Sequence, residues 1–323
     1  MKYVLGPVPS RRLGRSLGIN NIPPKFCSYS CLYCQVGPTV NEEIVPRAFY
    51  EPKEIRQAVE ARVKAVSEAG ESIDYLTFVP DGEPTLDVNL GTTIELLRPL
   101  GIKIAVISNG SLIWHRPVQE ILRQADWVSL KVDSVEDGVW RGINRPHPDL
   151  ELKTILSGML DFASRYKGVL TSETMLVDRV NVTNDGILNL AEFLHTLNPH
   201  KAYLSIPTRP PAVAGCHAPG EEQLNRVYQI VSQCIPGVEY LTDYEGDAFA
   251  FSGDPVKDIL SITAVHPLRE DAVRELLKKT GGPWDIVEGI INQGKLRECV
   301  YEGRKFYVRR FSRINAFSGS GVE

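Results

Sequence analysis

Short apolar runs alternate along this chain with longer stretches in which apolar residues recur every three or four positions. The short runs read as strands over Ser16 to Ile22, Ile73 to Val79, Ile102 to Ile107, Trp127 to Asp133, Gly168 to Leu176 and Ala202 to Ile206. Between them, Pro52 to Ala69 places Ile55, Val59, Val63 and Val66 on one stripe of a helix. Further helices are predicted over Val88 to Arg98, stopped by Pro99, and over Pro117 to Gln124, Leu152 to Tyr166, Ile187 to Leu197 and Glu221 to Cys234. Strands alternating with helices pair in parallel through right-handed crossovers. Six such units are two short of a closed eight-fold barrel. The expected fold is therefore α/β, an open (βα)6 partial TIM barrel, with a doubly wound sheet as the alternative. In both architectures ligands gather at the carboxyl ends of the strands. Those ends carry Asp81-Gly82-Glu83, Ser108-Asn109, Asp133, Glu173 and the run Pro207 to Pro211.

The pattern changes after Asp254. Helices over Pro255 to Leu260, Glu270 to Lys279 and Trp284 to Asn292 are followed by Lys295 to Val300, a turn at Glu302-Gly303, and Lys305 to Phe311. Helix, turn, helix and β-hairpin in this order resemble a small winged helix-turn-helix domain. The expected organisation is a barrel over residues 1–250, a winged-helix-like domain over 254–313 and a flexible tail over 314–323.

A chain of 323 residues, 43% of them hydrophobic, buries enough for a large domain plus a small one, which excludes disorder and a disulfide miniprotein. The net charge of −4 does not describe a polyanion binder as a whole. Read by segment, however, Lys295 to Arg313 holds seven basic and two acidic residues, a local +5 on the predicted hairpin. No segment approaches the roughly 18 uncharged apolar residues of a membrane span, and the apolar start runs into Arg11 and Arg12 without a signal-peptide core. A cytoplasmic protein without a membrane partner is expected. Three of the six cysteines, Cys27, Cys31 and Cys34, fall within eight residues, which in a reducing compartment points to metal or redox chemistry.

Cys27-x3-Cys31-x2-Cys34 lies in the loop after the first predicted strand. Three thiolates there suit three irons of a [4Fe-4S] cube and leave the fourth iron open to an external molecule. A structural zinc needs a fourth ligand, and the first histidine along the chain is His115, so zinc requires help from folding. The plainest alternative is three unligated core cysteines.

This spacing, with Tyr33 just before the last cysteine, resembles the signature of the radical S-adenosylmethionine superfamily, and the likeness extends over roughly Ser16 to Pro211. The resemblance implies a [4Fe-4S] cluster on Cys27, Cys31 and Cys34, with S-adenosylmethionine chelating the open iron. It also implies an electron from a reductase or ferredoxin-type donor, and a 5′-deoxyadenosyl radical that abstracts a hydrogen from substrate. Gly82-Glu83-Pro84 resembles the family's Gly-Gly-Glu element, which meets the methionine amine, with Asp81 in place of the first glycine. Ser108-Asn109-Gly110 resembles a Thr-Asn-Gly element near the methionyl end. Lys131 and Asp133 share one strand face because side chains alternate; with Glu173 they become candidates for the ribose hydroxyls or the carboxylate, and a buried ion pair is the bland alternative. Tyr33 is a candidate to pack on adenine, against simple loop packing.

Gly6 to Gly18 and Ser172 to Val177 further resemble the branch grouped with the wyosine-base synthases of transfer RNA. Those enzymes carry extra cysteines ahead of the signature, and residues 1–26 here contain none, so the wyosine reaction itself is not expected. Arg11, Arg12 and Arg15 are candidates for phosphate or carboxylate contacts, against plain surface solvation. Cys216, in the loop after the sixth predicted strand, is a candidate hydrogen-atom donor or extra iron ligand, against an inert thiol. Cys234 and Cys299 read as core. The expected function is radical modification of a macromolecule presented by the winged-helix domain, an RNA base first and a protein or peptide second. A small-molecule substrate, or a cluster-bearing DNA-binding regulator, comes behind these.

Overall fold

The structure is a computed structural model that describes residues 3–241, 254–265 and 267–310. Strand β1 (Val4–Ser10) turns at residues 11–13 and pairs antiparallel with β2 (Gly14–Ile19). The hydrophobic pattern does not announce β1, since Pro7 and Pro9 interrupt it. They are tolerated because β1 is the edge of its sheet. The loop after β2 contains two short strands, β3 (Phe26–Cys27) and β4 (Asn41–Glu42), paired with each other.

Helix α1 (Pro52–Glu68) has Pro52 in its first turn, where a missing N–H costs nothing, and buries Ile55, Val59 and Val66. There follow β5 (Tyr75–Phe78), α2 (Leu90–Leu97), β6 (Lys103–Ser108), α3 (Arg116–Leu122) and β7 (Trp127–Lys131). Residues 137–144, which carry no predicted element, form α4 (Asp137–Asn144). It ends where Arg145 turns left-handed at φ 45° and Pro146 follows. The series continues with α5 (Leu152–Arg165), β8 (Val169–Met175), α6 (Asn184–Leu197), β9 (Lys201–Ser205), α7 (Glu221–Cys234) and β10 (Val238–Leu241).

The strands form one eight-stranded sheet in the order β1-β2-β5-β6-β7-β8-β9-β10, and every pair beyond β1·β2 is parallel. It is a curled half-barrel, the expected partial TIM barrel, with β10 and the antiparallel edge β1 added to the six predicted strands. Alternation divides the strands by face. Leu17, Ile19, Leu76, Phe78, Ile104, Val106, Val128, Leu130, Val132 and Leu204 pack outward against Ile55, Ile94, Leu122, Ile155, Leu190 and Val227 of the helices. The opposite face buries Trp127, Ala105, Tyr203 and Leu241 against Leu13 of the β1–β2 turn. The expected inward placement of Lys131 and Asp133, opposite Val128, Leu130 and Val132, follows from this division.

Residues up to 250 and from 251 onward form two compact units. The second contains α8 (Pro255–Val265), β11 (Leu268–Arg269), α9 (Glu270–Thr280), α10 (Asp285–Asn292), β12 (Leu296–Tyr301) and β13 (Arg304–Arg309), with its sheet ordered β11-β13-β12. Ile259, Ile262, Val273, Leu276, Val287, Ile290, Phe306 and Tyr307 are among its buried residues. Gly281 at φ 69° ends α9, and Glu302 and Gly303, at φ 48° and 68°, make the tight hairpin turn that matches strand twist. The two-residue β11 was not predicted, and Phe311, Arg313 and the expected tail 314–323 lie outside the described residues.

Candidate cofactor site at the carboxyl ends of the strands

The loop bearing Cys27, Cys31 and Cys34 is fixed by its neighbours at the strand ends. The Lys25 N–H donates to the Asp81 carbonyl at 2.8 Å, and the Glu83 N–H to the Phe26 carbonyl at 3.0 Å, which ties the loop to the end of β5. Gly82 is required at this crossing, because a Cβ on it would run into the Phe26 carbonyl oxygen. The Ser30 N–H donates to the carbonyls of Asn144 and Arg145 at 3.1 and 3.0 Å, and the Leu32 N–H to Ile143 at 2.9 Å. The loop thereby satisfies carbonyls that the end of α4 leaves without intrahelical donors. Ser28 and Ser111 hydroxyls meet at 2.6 Å, and Val213 N–H donates to the Leu32 carbonyl at 3.1 Å.

All three cysteines are free thiols, and burial pushes each of them up, Cys31 to about 12. Among the described residues, no three His, Cys, Asp or Glu side chains are placed to hold one metal ion. In a [4Fe-4S] cube each thiolate takes its own iron. Side-chain donors surround the sulfurs. The Asn109 Nδ2 lies 3.6 Å from the Cys27 Sγ, and the Asn144 Nδ2 lies 3.5 Å from the Cys31 Sγ. Lys25, held left-handed at φ 69°, brings a positive charge that acts on Cys34 and Cys27. Half-buried cysteines whose sulfurs are met by amide donors and a cation are a fit environment for an anionic thiolate cluster.

The candidate cofactor residues divide into two groups. Glu83 is buried, with its carboxylate accepting from the Thr85 N–H at 3.0 Å, the Thr85 hydroxyl at 2.6 Å, the Ser108 hydroxyl at 2.7 Å and the Asn109 N–H at 2.7 Å. Burial pushes its carboxyl up and those bonds pull it back. Glu83, Ser108 and Asn109 thus form one hydrogen-bonded set joining the ends of β5 and β6. Asp81 is buried, and burial drives its carboxyl to about 7 against the opposing pull of Lys25.

The second group lines the inner face of β7 and β8. Lys131 and Glu173 are register partners on adjacent strands, and the Lys131 Nζ donates to the Glu173 Oε1 at 3.0 Å. The other Glu173 oxygen is held by Arg12, and Ser205 donates to Oε1 at 3.3 Å. Burial alone would push the Glu173 carboxyl up, but Lys131 and Arg12 outweigh it and hold it at about 2. The bland reading of Lys131 and Glu173 as an ion pair is therefore present, with Arg12 as its third member. Lys131 also lies 4.9 Å from the centre of the Tyr33 ring. The Tyr33 hydroxyl donates to Asp133, whose carboxylate also accepts from the Asn144 amide at 2.6 Å and the Met175 N–H at 2.7 Å.

The other candidate side chains take the following places. Arg12 and Arg15 stand by the β1–β2 turn, at the opposite end of β2 from the cysteines. Arg12 reaches into the barrel to Glu173, while Arg15 pairs with Glu71 on the surface. Arg11 is exposed in the same turn. Cys216 is buried beside the cluster loop among Ile143, Val177, Leu32, Tyr33 and Met175. Asn144, Asn181 and Lys25 escaped sequence reasoning. Asn181, which donates to the carbonyls of Asp133 and Met175 at 2.8 and 2.9 Å, holds the ends of β7 and β8 together. Isolated polar residues in loops or at the end of a short helix carry no periodic signal that marks them.

The Radical SAM superfamily model matches residues 21–191. A UPF0026 protein of Methanocaldococcus jannaschii is 48% identical over 311 residues, which is 96% of each chain. Among solved structures, TYW1 with a lysine-pyruvate adduct bound superposes with a TM-score of 0.53 at 18% identity, over 68% of this chain and 74% of that one. A radical SAM methyltransferase from Sphaerobacter thermophilus gives 0.52 at 20% identity, over 70% and 66%. At such identities the structural likeness shows the fold.

Proposed function

Because this chain belongs to the radical SAM superfamily, an enzyme family built on a [4Fe-4S] cluster and S-adenosylmethionine, we propose that it modifies an RNA base through hydrogen abstraction. The bound cofactors supply reductive cleavage of the sulfonium and a hydrogen-abstracting 5′-deoxyadenosyl group. Cys27, Cys31 and Cys34 hold the cluster, and the remaining chemistry of the chain is binding and exclusion of water. Glu83, with Ser108 and Asn109, fixes the rim where the methionine amine binds, and Gly82 lets the backbone approach closely. Lys131, Asp133 and Glu173 present charge toward the sugar and carboxylate of the cofactor, with Tyr33 packing beside Lys131. Cys216, buried against the cluster loop, is the candidate for returning a hydrogen atom. A three-thiol loop needs a reducing compartment, which supports a cytoplasmic location and a reductase or ferredoxin-type donor. No helix among the described residues is long and apolar enough to cross a membrane.

The observation that favours RNA is on the second unit, which we read as a winged helix over residues 254–313. Lys295, Arg297, Arg304 and Arg310 are exposed on or beside the β12–β13 hairpin, and among the described residues none has an ion-pair partner. Helix α10, which would enter a DNA groove in a reading regulator, carries Asp285 and Glu288 and no cation. The charge pattern supports backbone contact by the hairpin and disfavours groove reading by the helix.

The enzyme reading is tested by anaerobic reconstitution, dithionite reduction and measurement of 5′-deoxyadenosine, expected from the wild type and absent from Cys27→Ala. No deoxyadenosine from the wild type overturns it. The RNA reading expects binding that weakens steeply with salt. Salt-insensitive or absent RNA binding shifts the substrate to a protein or peptide.

A further inference from the structure

We propose that Asn109 and Asn144 act as paired sulfur clamps, donating amide hydrogen bonds to Cys27 and Cys31 and so raising the reduction potential of the cluster. The inference rests on these cysteines being cluster ligands and goes beyond that assignment to what sets the electron affinity of the cluster.

The orientation of each amide is fixed by its other partners. The Asn109 Oδ1 accepts from the Ser111 N–H at 2.9 Å, so the amide nitrogen is turned the other way. Its two hydrogens face the Ser28 hydroxyl at 3.0 Å and the Cys27 sulfur at 3.6 Å. For Asn144 the constraint is the Asp133 carboxylate, which only accepts. At 2.6 Å it requires the nitrogen of the amide on its side, and that same nitrogen meets the Cys31 sulfur at 3.5 Å and the Tyr33 hydroxyl at 3.2 Å. Turned over, Asn109 would set its NH2 against the Ser111 N–H, donor to donor, and Asn144 would set its oxygen against the Asp133 carboxylate, acceptor to acceptor.

The two clamps reach the loop from different elements. Asn109 follows β6 and its backbone N–H is bound by Glu83, while Asn144 is the last residue of α4, whose end the cluster loop itself caps. Both are held by bonds independent of the sulfurs, so the donors are in place before the metal arrives. Cys34 is met instead by the charge of Lys25 and by the backbone N–H of Val36. One-electron reduction adds negative charge that is shared by the sulfurs. A donor aimed at sulfur therefore stabilises the reduced form more than the oxidised form, most strongly where water is excluded.

The experiment is a potentiometric titration of the reconstituted full-length protein without S-adenosylmethionine, followed by EPR, for the wild type, Asn109→Ala and Asn144→Ala. Each variant is expected to lower the reduced-to-oxidised ratio at a fixed potential by about tenfold, a shift of about 59 mV to more negative values for one electron. Variants with full iron and sulfide content and an unmoved potential overturn the proposal and leave the cluster assignment standing. A wild type that assembles no cluster overturns the assignment itself. Should a variant lose its cluster, wild-type protein labelled with 15N-asparagine decides the matter: hyperfine coupling of asparagine nitrogen to the reduced cluster is expected, and its absence refutes the clamp.

Discussion

At the barrel mouth Lys131 and Arg12 share the Glu173 carboxylate, and the Asp133 carboxylate is divided among Tyr33, Asn144 and Met175. On the C-terminal hairpin, by contrast, Lys295, Arg297, Arg304 and Arg310 stand in solvent, while Lys305 pairs with Glu270 and Glu298. The two regions show two uses of charge. A buried charge is costly unless paired, so pairing inside the barrel holds these side chains in one arrangement. An exposed cation costs little to leave open, and several in a row suit a flexible polyanion whose counterions are released on contact.

The largest effect that would break this contrast is on the buried side. Glu173→Gln leaves Lys131 and Arg12 without their shared carboxylate and is expected to cost about 3 to 5 kcal/mol in urea unfolding. The same carboxyl carries a pH signature. Its folded value of about 2 lies below the unfolded value of about 4.3, so its contribution is complete above the unfolded value and lost as pH falls through the folded one. Stability measured down that acid range should fall more steeply for the wild type than for the glutamine variant. Equal slopes would mean that the triad is not the coupled unit described here.

A smaller effect on stability, and a larger one on binding, is expected at the hairpin. The combined change Arg297→Ala, Arg304→Ala and Arg310→Ala should reduce the slope of log affinity against log salt for single-stranded RNA by about 2, since each phosphate contact contributes about 0.7. Its thermal midpoint should hardly move, because exposed sites away from special features change stability by about 0.5 kcal/mol or less. An unchanged salt slope would remove the hairpin from RNA binding while leaving the barrel chemistry intact. The smallest effect sharpens the rule from the other side. Glu60→Ala breaks the half-exposed Arg56–Glu60 pair one turn apart on α1 and should cost less than about 0.5 kcal/mol.

Much of the barrel was legible because its signals are local. The buried stripe Ile55, Val59 and Val66 sets α1, Pro99 and Gly101 stop the segment after α2, and α7 spans Glu221–Cys234 as its periodicity predicts. The illegible elements are the ones whose signal is borrowed from context. β1 contains two prolines and exists because an edge position tolerates them, while β10 is four residues long and joins the sheet through pairing with β9. Helix α4 has only Trp140, Ile143 and Asn144 buried, too short a pattern to separate from a loop.

The sequence by itself determined the alternating architecture, the three-cysteine loop at the end of the first parallel strand, the inward face of Lys131 and Asp133, and the excess positive charge of the hairpin. These follow from side-chain periodicity, from ligand spacing along one short loop and from charge counting, none of which needs a distant contact. Only the tertiary structure decided that Arg12 crosses the barrel to Glu173, that Glu83 is bound to Ser108 and Asn109, and that Asn109 and Asn144 face two of the sulfurs. Each of those depends on which strand ends the crossovers bring together. A hydrogen bond between residues such as Cys31 and Asn144, 113 positions apart, leaves no mark on the local pattern of either segment.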